Sequence, residues 1–313
     1  MKVLFAGSPA IAAPSLRALV ASRHEVVGVL TNPPSAKGRS GSPEPTAVGT
    51  LAAELLPGVP VLTPERLGSE ARALVAPLGA DILVAFAYGR LFGPKFLSLF
   101  PEGGLNVHPS LLPRWRGATP IPAAILARDA ETGVSVQRIA AELDAGDIVA
   151  SARIPLDGTE TTAGLSERCA ELGEELLVKA LDAIEDGSAV PRPQDPALAT
   201  FCREFGKDDG LVDWSLGALE LDARIRAFQP WPGAFTFLRG ERLALLESRP
   251  FPAEDSGREP GTVLAMDSGR GLMVQTGKGL LSLRRLQLRA RKALPFREFA
   301  NGVRDLIGSR LGA

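Results

Sequence analysis

Three segments inside the first thirty residues limit the fold more than anything else in the chain. Residues 2–6 are an apolar run of strand length, and Gly7-Ser8-Pro9 is a turn. Residues 11–21 carry apolar side chains at helical spacing, and residues 25–30 (Glu-Val-Val-Gly-Val-Leu) are a second strand-like run. Strand, helix and strand in so short a stretch pack back as a right-handed βαβ unit, which requires a parallel sheet. Further strands are read at 81–87 and 104–107, then at 133–139 and 147–154, the last of these antiparallel at an edge. Residues 166–185 have the spacing of a long amphipathic helix. The expected fold class is α/β, with an N-terminal Rossmann-like open, mostly parallel sheet. Ligands of such sheets bind beyond the carboxyl ends of the strands.

Three prolines in the eight residues Ala189-Val190-Pro191-Arg192-Pro193-Gln194-Asp195-Pro196 mark a break. The organisation expected is a first domain over 1–189, a linker over 190–208 and a second domain over 209–313. In the last, 216–228 looks helical and stops at Pro230-Trp231-Pro232-Gly233. Short strands follow at 234–238, 242–248, 261–265, 271–276 and 280–288, the pattern of a small β-barrel of OB-like type. The net charge of −1 conceals an asymmetry: from 209 onward 16 basic residues face 12 acidic ones, and before it 19 face 24. A basic C-terminal part hints at a polyanionic partner, with Arg284, Arg285, Arg289, Arg291 and Lys292 as its tightest cluster. A solvated face is the plainer reading of that cluster.

Several classes are set aside by composition. Two cysteines, Cys169 and Cys202, make neither a disulfide scaffold nor a Cys-rich zinc site, so a reducing cytoplasm is expected. The opening Met1 to Gly7 is too short for a signal peptide, and no apolar run reaches the ~18 residues of a membrane span, so no membrane is expected as a partner. The turn at Gly7 is not Gly-x-Gly-x-x-Gly, and no Walker A sequence is present. The only two histidines, His24 and His108, are far apart and lack ligand spacing, so no metal is expected. His24, between a helix and a strand, reads as an ordinary surface residue.

His108 differs by its company. Asn106 lies two positions before it, on the same side of a strand, and Ser110 two positions after. Asn106 has N–H donors for a developing oxyanion, and an imidazole moves protons near neutral pH. A carboxylate from Leu143-Asp144-Ala145-Gly146-Asp147 would orient the imidazole and favour its charged form. From spacing alone a strand-end histidine and an ordinary Asp-Gly turn are the plainer reading. Ser110 has no Gly-x-Ser-x-Gly elbow and reads as a positioning residue.

The run from Asn106 through Ser110-Leu111-Leu112-Pro113-Arg114-Trp115-Arg116-Gly117-Ala118 to Pro120-Ile121 resembles the signature of formyltransferases that use 10-formyltetrahydrofolate. The resemblance spans nearly the whole chain: residues 3–12, Ala87-Tyr88-Gly89-Arg90-Leu91, 129–134 and 143–147 are similar to further blocks. Val212-Asp213-Trp214-Ser215 and residues 225–234 resemble blocks of the branch that acts on methionyl-initiator tRNA. The resemblance implies the formyltransferase fold and formyl transfer from 10-formyltetrahydrofolate, with no metal. It makes Asn106, His108 and Asp144 the catalytic trio. Phe86, Tyr88, Gly89, Arg90 and Leu91 would form the pterin pocket through their backbone, and Ser110, Leu111, Leu112 and Pro113 would contact the folate. Lys37 and Arg39, in the Pro-, Gly- and Ser-rich loop 33–45, would meet the tRNA acceptor stem. The arginine cluster would hold the tRNA backbone, and a monomer is expected. Pro109, Ile11 and the basic residues of loop 33–45 depart from the branch pattern. Glycinamide ribonucleotide, an amino-sugar nucleotide, or an inert RNA-binding role remain as rivals.

Overall fold

The computed structural model describes residues 1–36 and 41–312. The chain divides into two compact units. Unit 1 comprises Met1–Pro120, Glu131–Pro155 and Ser166–Arg203. Unit 2 comprises Ile121–Ala130, Leu156–Leu165 and Glu204–Ala313.

The strands of unit 1 are β1 (Lys2–Gly7), β2 (Glu25–Leu30), β3 (Ser35–Ala36), β4 (Pro43–Glu44), β5 (Val61–Leu62), β6 (Ile82–Phe86), β7 (Gly104–His108), β8 (Arg116–Gly117), β9 (Glu131–Arg138), β10 (Ile148–Pro155) and β11 (Phe201–Cys202). Seven of them form one sheet in the order β10-β9-β7-β6-β1-β2-β5. The pairs β1/β2, β1/β6, β6/β7 and β2/β5 are parallel, while β9 is antiparallel to both β7 and β10. The mostly parallel sheet with an antiparallel edge is therefore as expected. Residues of β1 and β6 are buried on both faces, which is why they read as unbroken apolar runs instead of alternating ones. The βαβ unit closes through α1 (Ala13–Ala21), with Pro14 in its first turn, where a missing N–H costs nothing. Later helices are α2 (Ala47–Leu55), α3 (Ser69–Val75), α4 (Pro94–Leu97), α5 (Pro120–Ala127) and α6 (Thr162–Glu185), which begins four residues before the expected 166. One apolar cluster packs Leu4, Leu30, Leu83, Phe96 and Phe100 together.

Loop 33–45 carries β3 and β4 as a short exposed antiparallel pair. Lys37 and Arg39 lie outside the described residues. His24 corrects the reading of a surface residue: it is 4% exposed. The turn before β2 tucks its ring beside the end of α6, with Nε2 3.3 Å from Asp182 and Nδ1 3.2 Å from the Met1 ammonium. Burial, then the Met1 ammonium, push its pKa below the ordinary histidine value. Both neighbouring carboxylates are also engaged by Arg23, at 2.6 Å for Asp182 and 3.0 Å for Glu185.

Unit 2 contains α7 (Ala218–Ala227) and an antiparallel sheet of β12 (Phe235–Leu238), β13 (Glu241–Phe251), β14 (Val263–Asp267), β15 (Gly271–Gln275), β16 (Leu280–Leu288) and β17 (Leu294–Pro295), followed by α8 (Phe296–Asn301). The order is β12-β13-β16-β15-β14, with β17 on β16. Its two outer strands are joined by the chain's last turn: Leu311 bridges Leu238 of β12, and Arg310 bridges Thr262 beside β14. Those bridges turn an open sheet into a small barrel, which leaves fewer unpaired edges. Its core packs Leu243, Leu245, Val263, Leu272, Leu281, Leu283 and Leu286 together with Trp214 and Phe299.

Candidate active site

The carboxyl ends of β1, β6 and β7 carry the segments that the sequence singles out. Asn106 and His108 occupy the same face of β7, two residues apart, at its carboxyl end. The antiparallel register of β7 on β9 sets Asn106 opposite Gln137 and His108 opposite Ser135. After β9 the chain turns back towards β10, and Asp144 sits in that turn with a left-handed φ of 52°. Gly146 lets the turn pass close to β9, because a Cβ there would lie 1.8 Å from the Arg138 carbonyl oxygen. A residue 38 positions from Asn106 is thereby brought against it.

Asp144 is the hub. Its Oδ1 accepts from Gln137 Nε2 at 3.0 Å and from Asn106 Nδ2 at 3.3 Å, and His108 Nδ1 stands 3.6 Å away. Its Oδ2 accepts from the Gly117 backbone N–H at 2.9 Å. His108 is buried, and its Nε2 lies 2.9 Å from the Trp115 carbonyl oxygen. A carbonyl only accepts, so Nε2 carries a hydrogen and the Nδ1 edge faces the carboxylate.

The segment after β7 is braced from within. Ser110 is fully buried, and its hydroxyl donates to the Arg114 carbonyl at 2.6 Å. Ser135 donates to the Ser110 carbonyl at 2.8 Å and accepts from the Leu112 N–H at 3.1 Å. Leu112 is buried, while Leu111 and Pro113 are half-buried. Gly117 has φ 116°, and β8 lies so close to β11 that a Cβ there would meet the Cys202 carbonyl oxygen at 2.2 Å. Among the described residues, seven other than glycine have positive φ, and three of them, Ala87, Trp115 and Asp144, belong to these loops. Backbone held in sparsely populated regions is typical of sites where geometry is imposed by the surroundings.

The segment after β6 offers mainly backbone. Phe86 is fully buried, and the Tyr88 ring is 2% exposed, stacked on Phe92 at 5.4 Å between centroids. Burial raises the pKa of the Tyr88 phenol, and its hydroxyl has no partner. Gly89 and Leu91 are exposed, and Arg90 donates to the Pro64 carbonyl at 2.6 Å.

Three residues of this network were not singled out by the sequence: Gln137, Gln194 and Arg116. Gln194 comes from the proline-rich stretch expected as a linker. That stretch is built into unit 1 through the Ile148–Arg192 bridge, the Arg116 N–H to Thr200 carbonyl bond of 2.9 Å and β11 on β8. The signal for Gln137 was available: it sits on the expected strand 133–139 with the parity of Ser135. Nothing comparable marks Gln194.

This arrangement holds amide N–H donors, an imidazole and a carboxylate, and lacks an activated nucleophile. The Ser110 hydroxyl is committed to a carbonyl, and burial raises the pKa of the Cys202 thiol. It suits stabilising charge on a carbonyl oxygen and moving a proton, as in acyl transfer to an amine.

In unit 2, Arg285, Arg289, Arg291 and Lys292 are exposed. Arg284 is half-buried, with its guanidinium 3.4 Å from Glu247 and donating to the Arg270 carbonyl at 3.2 Å. No helix among the described residues is long and apolar enough to cross a membrane.

Residues 1–181 match the family described as Formyl transferase, and residues 205–304 match Formyl transferase, C-terminal domain. Methionyl-tRNA formyltransferase of Treponema pallidum (strain Nichols) is 50% identical over 319 residues, covering 100% of this chain and 99% of that protein. Methionyl-tRNA formyltransferase of Treponema denticola is 42% identical, covering 98% of each. Among solved structures, an N-formyltransferase from Helicobacter canadensis in complex with folinic acid and dTDP-3-aminofucose superposes with a TM-score of 0.67 at 18% identity, covering 90% of this chain and 99% of that one. HypX from Aquifex aeolicus in complex with tetrahydrofolic acid gives a TM-score of 0.64 at 20% identity, covering 98% of this chain. The chain spans about half of HypX, 48%. At such identities the structural likeness carries the fold alone.

Proposed function

Because this chain belongs to the formyl transferase family, we propose that it moves the formyl group of 10-formyltetrahydrofolate to the α-amino group of methionyl-initiator tRNA, giving N-formylmethionyl-tRNA for translation initiation. One observation carries the choice of acceptor. Relatives that bear this activity in their name match the chain end to end, including the C-terminal hundred residues, at up to 50% identity. An amino-sugar nucleotide is the second reading, kept for the test below because the Helicobacter canadensis N-formyltransferase of like fold is complexed with dTDP-3-aminofucose.

The neutral amine attacks the formyl carbon held on N10 of the folate. A C–N bond forms, the carbonyl oxygen gains negative charge, and the bond to N10 then breaks. The Asn106 amide and the Nδ1 edge of His108 converge on Asp144 Oδ1, so the reacting carbonyl belongs beside that convergence. There Asn106 donates to the oxyanion, while Asp144 and His108 orient the amine and carry its proton towards N10. The Trp115 carbonyl holds the other side of the imidazole. The segment 87–91, with Ala87, Gly89 and Leu91 exposed, and the braced turn Ser110-Leu111-Leu112-Pro113 are the proposed walls of the folate pocket. Arg285, Arg289, Arg291 and Lys292 are proposed to meet tRNA phosphates, which fits their exposure.

The test offers 10-formyltetrahydrofolate with three acceptors in turn: charged initiator tRNA, glycinamide ribonucleotide and an amino-sugar nucleotide. Formyl should accumulate on the tRNA alone. Formylation of either small acceptor in place of the tRNA overturns the reading.

A further inference from the structure

The polarity of a side-chain chain leading to Asp144 is set from its far end. Arg116 is 4% exposed and has only donors. Its Nε and Nη2 lie 3.1 and 2.9 Å from Gln194 Oε1, and its Nη1 3.2 Å from Glu142. Gln194 must therefore turn its oxygen towards the guanidinium. Its Nε2 then donates on the other side to the carbonyls of Asp144 at 2.8 Å and Gly146 at 2.7 Å, which only accept. The same Nε2 lies 3.1 Å from Gln137 Oε1. Its two hydrogens serve the two carbonyls first and are shared with the Gln137 oxygen. With that oxygen turned to the Gln194 amide and a carboxylate that only accepts on the other side, Gln137 presents its own Nε2 to Asp144 Oδ1 at 3.0 Å. Reversing either amide would set donor against donor at one end and acceptor against acceptor at the other, and an unmade hydrogen bond in such a place costs about 1–3 kcal/mol.

We propose that Gln137 is a positioning residue for Asp144, and that Gln194 and Arg116 fix its amide in the donating sense. This rests on the reading of Asp144 as part of the reacting group. The turn that carries Asp144 has little packing of its own, since Ala141, Glu142 and Leu143 are exposed and Asp144 itself has φ 52°. Its carboxylate is held by what donates to it. Of the side chains on Oδ1, Gln137 makes the shortest contact, 3.0 Å against 3.3 Å for Asn106 and 3.6 Å for His108. The reaction proposed above gives it no step of its own. Asn106 is therefore left to address the reacting carbonyl and His108 the proton of the amine, while Gln137 keeps the carboxylate still.

Gln137→Met keeps the length of the side chain and removes the donor. Its kcat should fall about tenfold, the worth of a charge-assisted hydrogen bond at the weak end of its range, with both KM values unchanged. Gln137→Glu keeps the shape and sets a like charge against Asp144, so its kcat should fall at least as far. Gln194→Met should lower kcat in the parent and lose most of its effect in the Gln137→Met background, because residues that act through one another are not additive. Thermal melts verify that each variant is folded. A folded Gln137→Met or Gln137→Glu protein with parental kcat overturns the proposal, as do fully additive losses. Asn106→Ala, assayed alongside, separates two failures. If it is active, the reading of the site fails. If it is inactive while Gln137→Met matches the parent, only the relay fails.

Discussion

The surroundings of Asp144 and the basic edge of the barrel hold their polar groups on opposite terms. Around Asp144 polar atoms have partners that dictate their direction: a carbonyl for His108 Nε2, a guanidinium for Gln194 Oε1, a backbone N–H for Asp144 Oδ2. Along residues 285–292 the charges stand in solvent. The difference matches the two tasks proposed for them. Stabilising a transient oxyanion requires donors that do not reorganise at the moment of reaction. Holding a polyphosphate chain needs charge in number, and tolerates mobile side chains because the gain comes from released counterions.

The comparison breaks first at Asn106. Removing one oxyanion donor costs roughly 10²–10³ in rate, so Asn106→Ala should lose at least that in kcat with an unchanged melting curve. Near-parental turnover in steady-state assays would refute the ordered half of the contrast. Gly146→Ala comes next. Its Cβ would press on the Arg138 carbonyl from 1.8 Å, shifting the turn that carries Asp144, and displacements near 1 Å cost about 10² in rate. If kcat/KM is spared, the turn is not as tightly placed as its contacts indicate. On the basic edge, Arg285→Glu with Arg289→Glu should raise the KM for tRNA about tenfold, flatten its dependence on salt and leave the folate KM alone. Arg284 is the poorer probe, because it is paired with Glu247 and its reversal would disturb the barrel.

Two smaller effects test whether burial by itself implies a role. The pKa of His24 is lowered in the fold, so below the unfolded value of about 6.5 the unfolded chain binds the proton first. Its contribution is present at neutral pH and is lost as pH falls through that value towards the folded one. His24→Gln should remove that part of the decline in Tm between pH 7 and 5 without changing turnover; an unaltered decline assigns it to other groups. Tyr88→Phe removes a buried hydroxyl with no partner and should leave stability equal or raise it by up to about 1 kcal/mol. The folate KM should stay the same, since the ring faces the core. A higher KM would mean that the phenol reaches the pocket.

Much of this was legible because it is local. The βαβ unit, the spacing of Asn106 and His108, and the turn around Asp144 all lie within stretches whose period or composition carries the information. Gln194 was hidden for the opposite reason. A glutamine among prolines has no periodicity, and its importance exists only once Arg116, 78 positions away, is beside it. The arginine run misled in a milder way. Arg284 and Arg285 are neighbours in sequence, yet the register of β13 on β16 shifts on both sides of Glu247, and one is half-buried against Glu247 while the other is exposed. Buried His24 illustrates the same limit, since nothing near it in sequence announces the end of α6.

The makeup of unit 2 bears on modularity. It takes in Ile121–Ala130 and Leu156–Leu165 as well as everything from Glu204. Those insertions are tied in, by Thr162 to the Ala227 carbonyl at 2.5 Å and by Arg226 to the Glu160 carbonyl at 2.8 Å. The second unit is thus not one contiguous segment of the chain. Recombination at a single crossover near residue 204 would hand the recipient a barrel without two of its own pieces, and would leave the donor with two stretches that have lost their company. Exchange of second units between relatives of this fold should then succeed only where three segments move together.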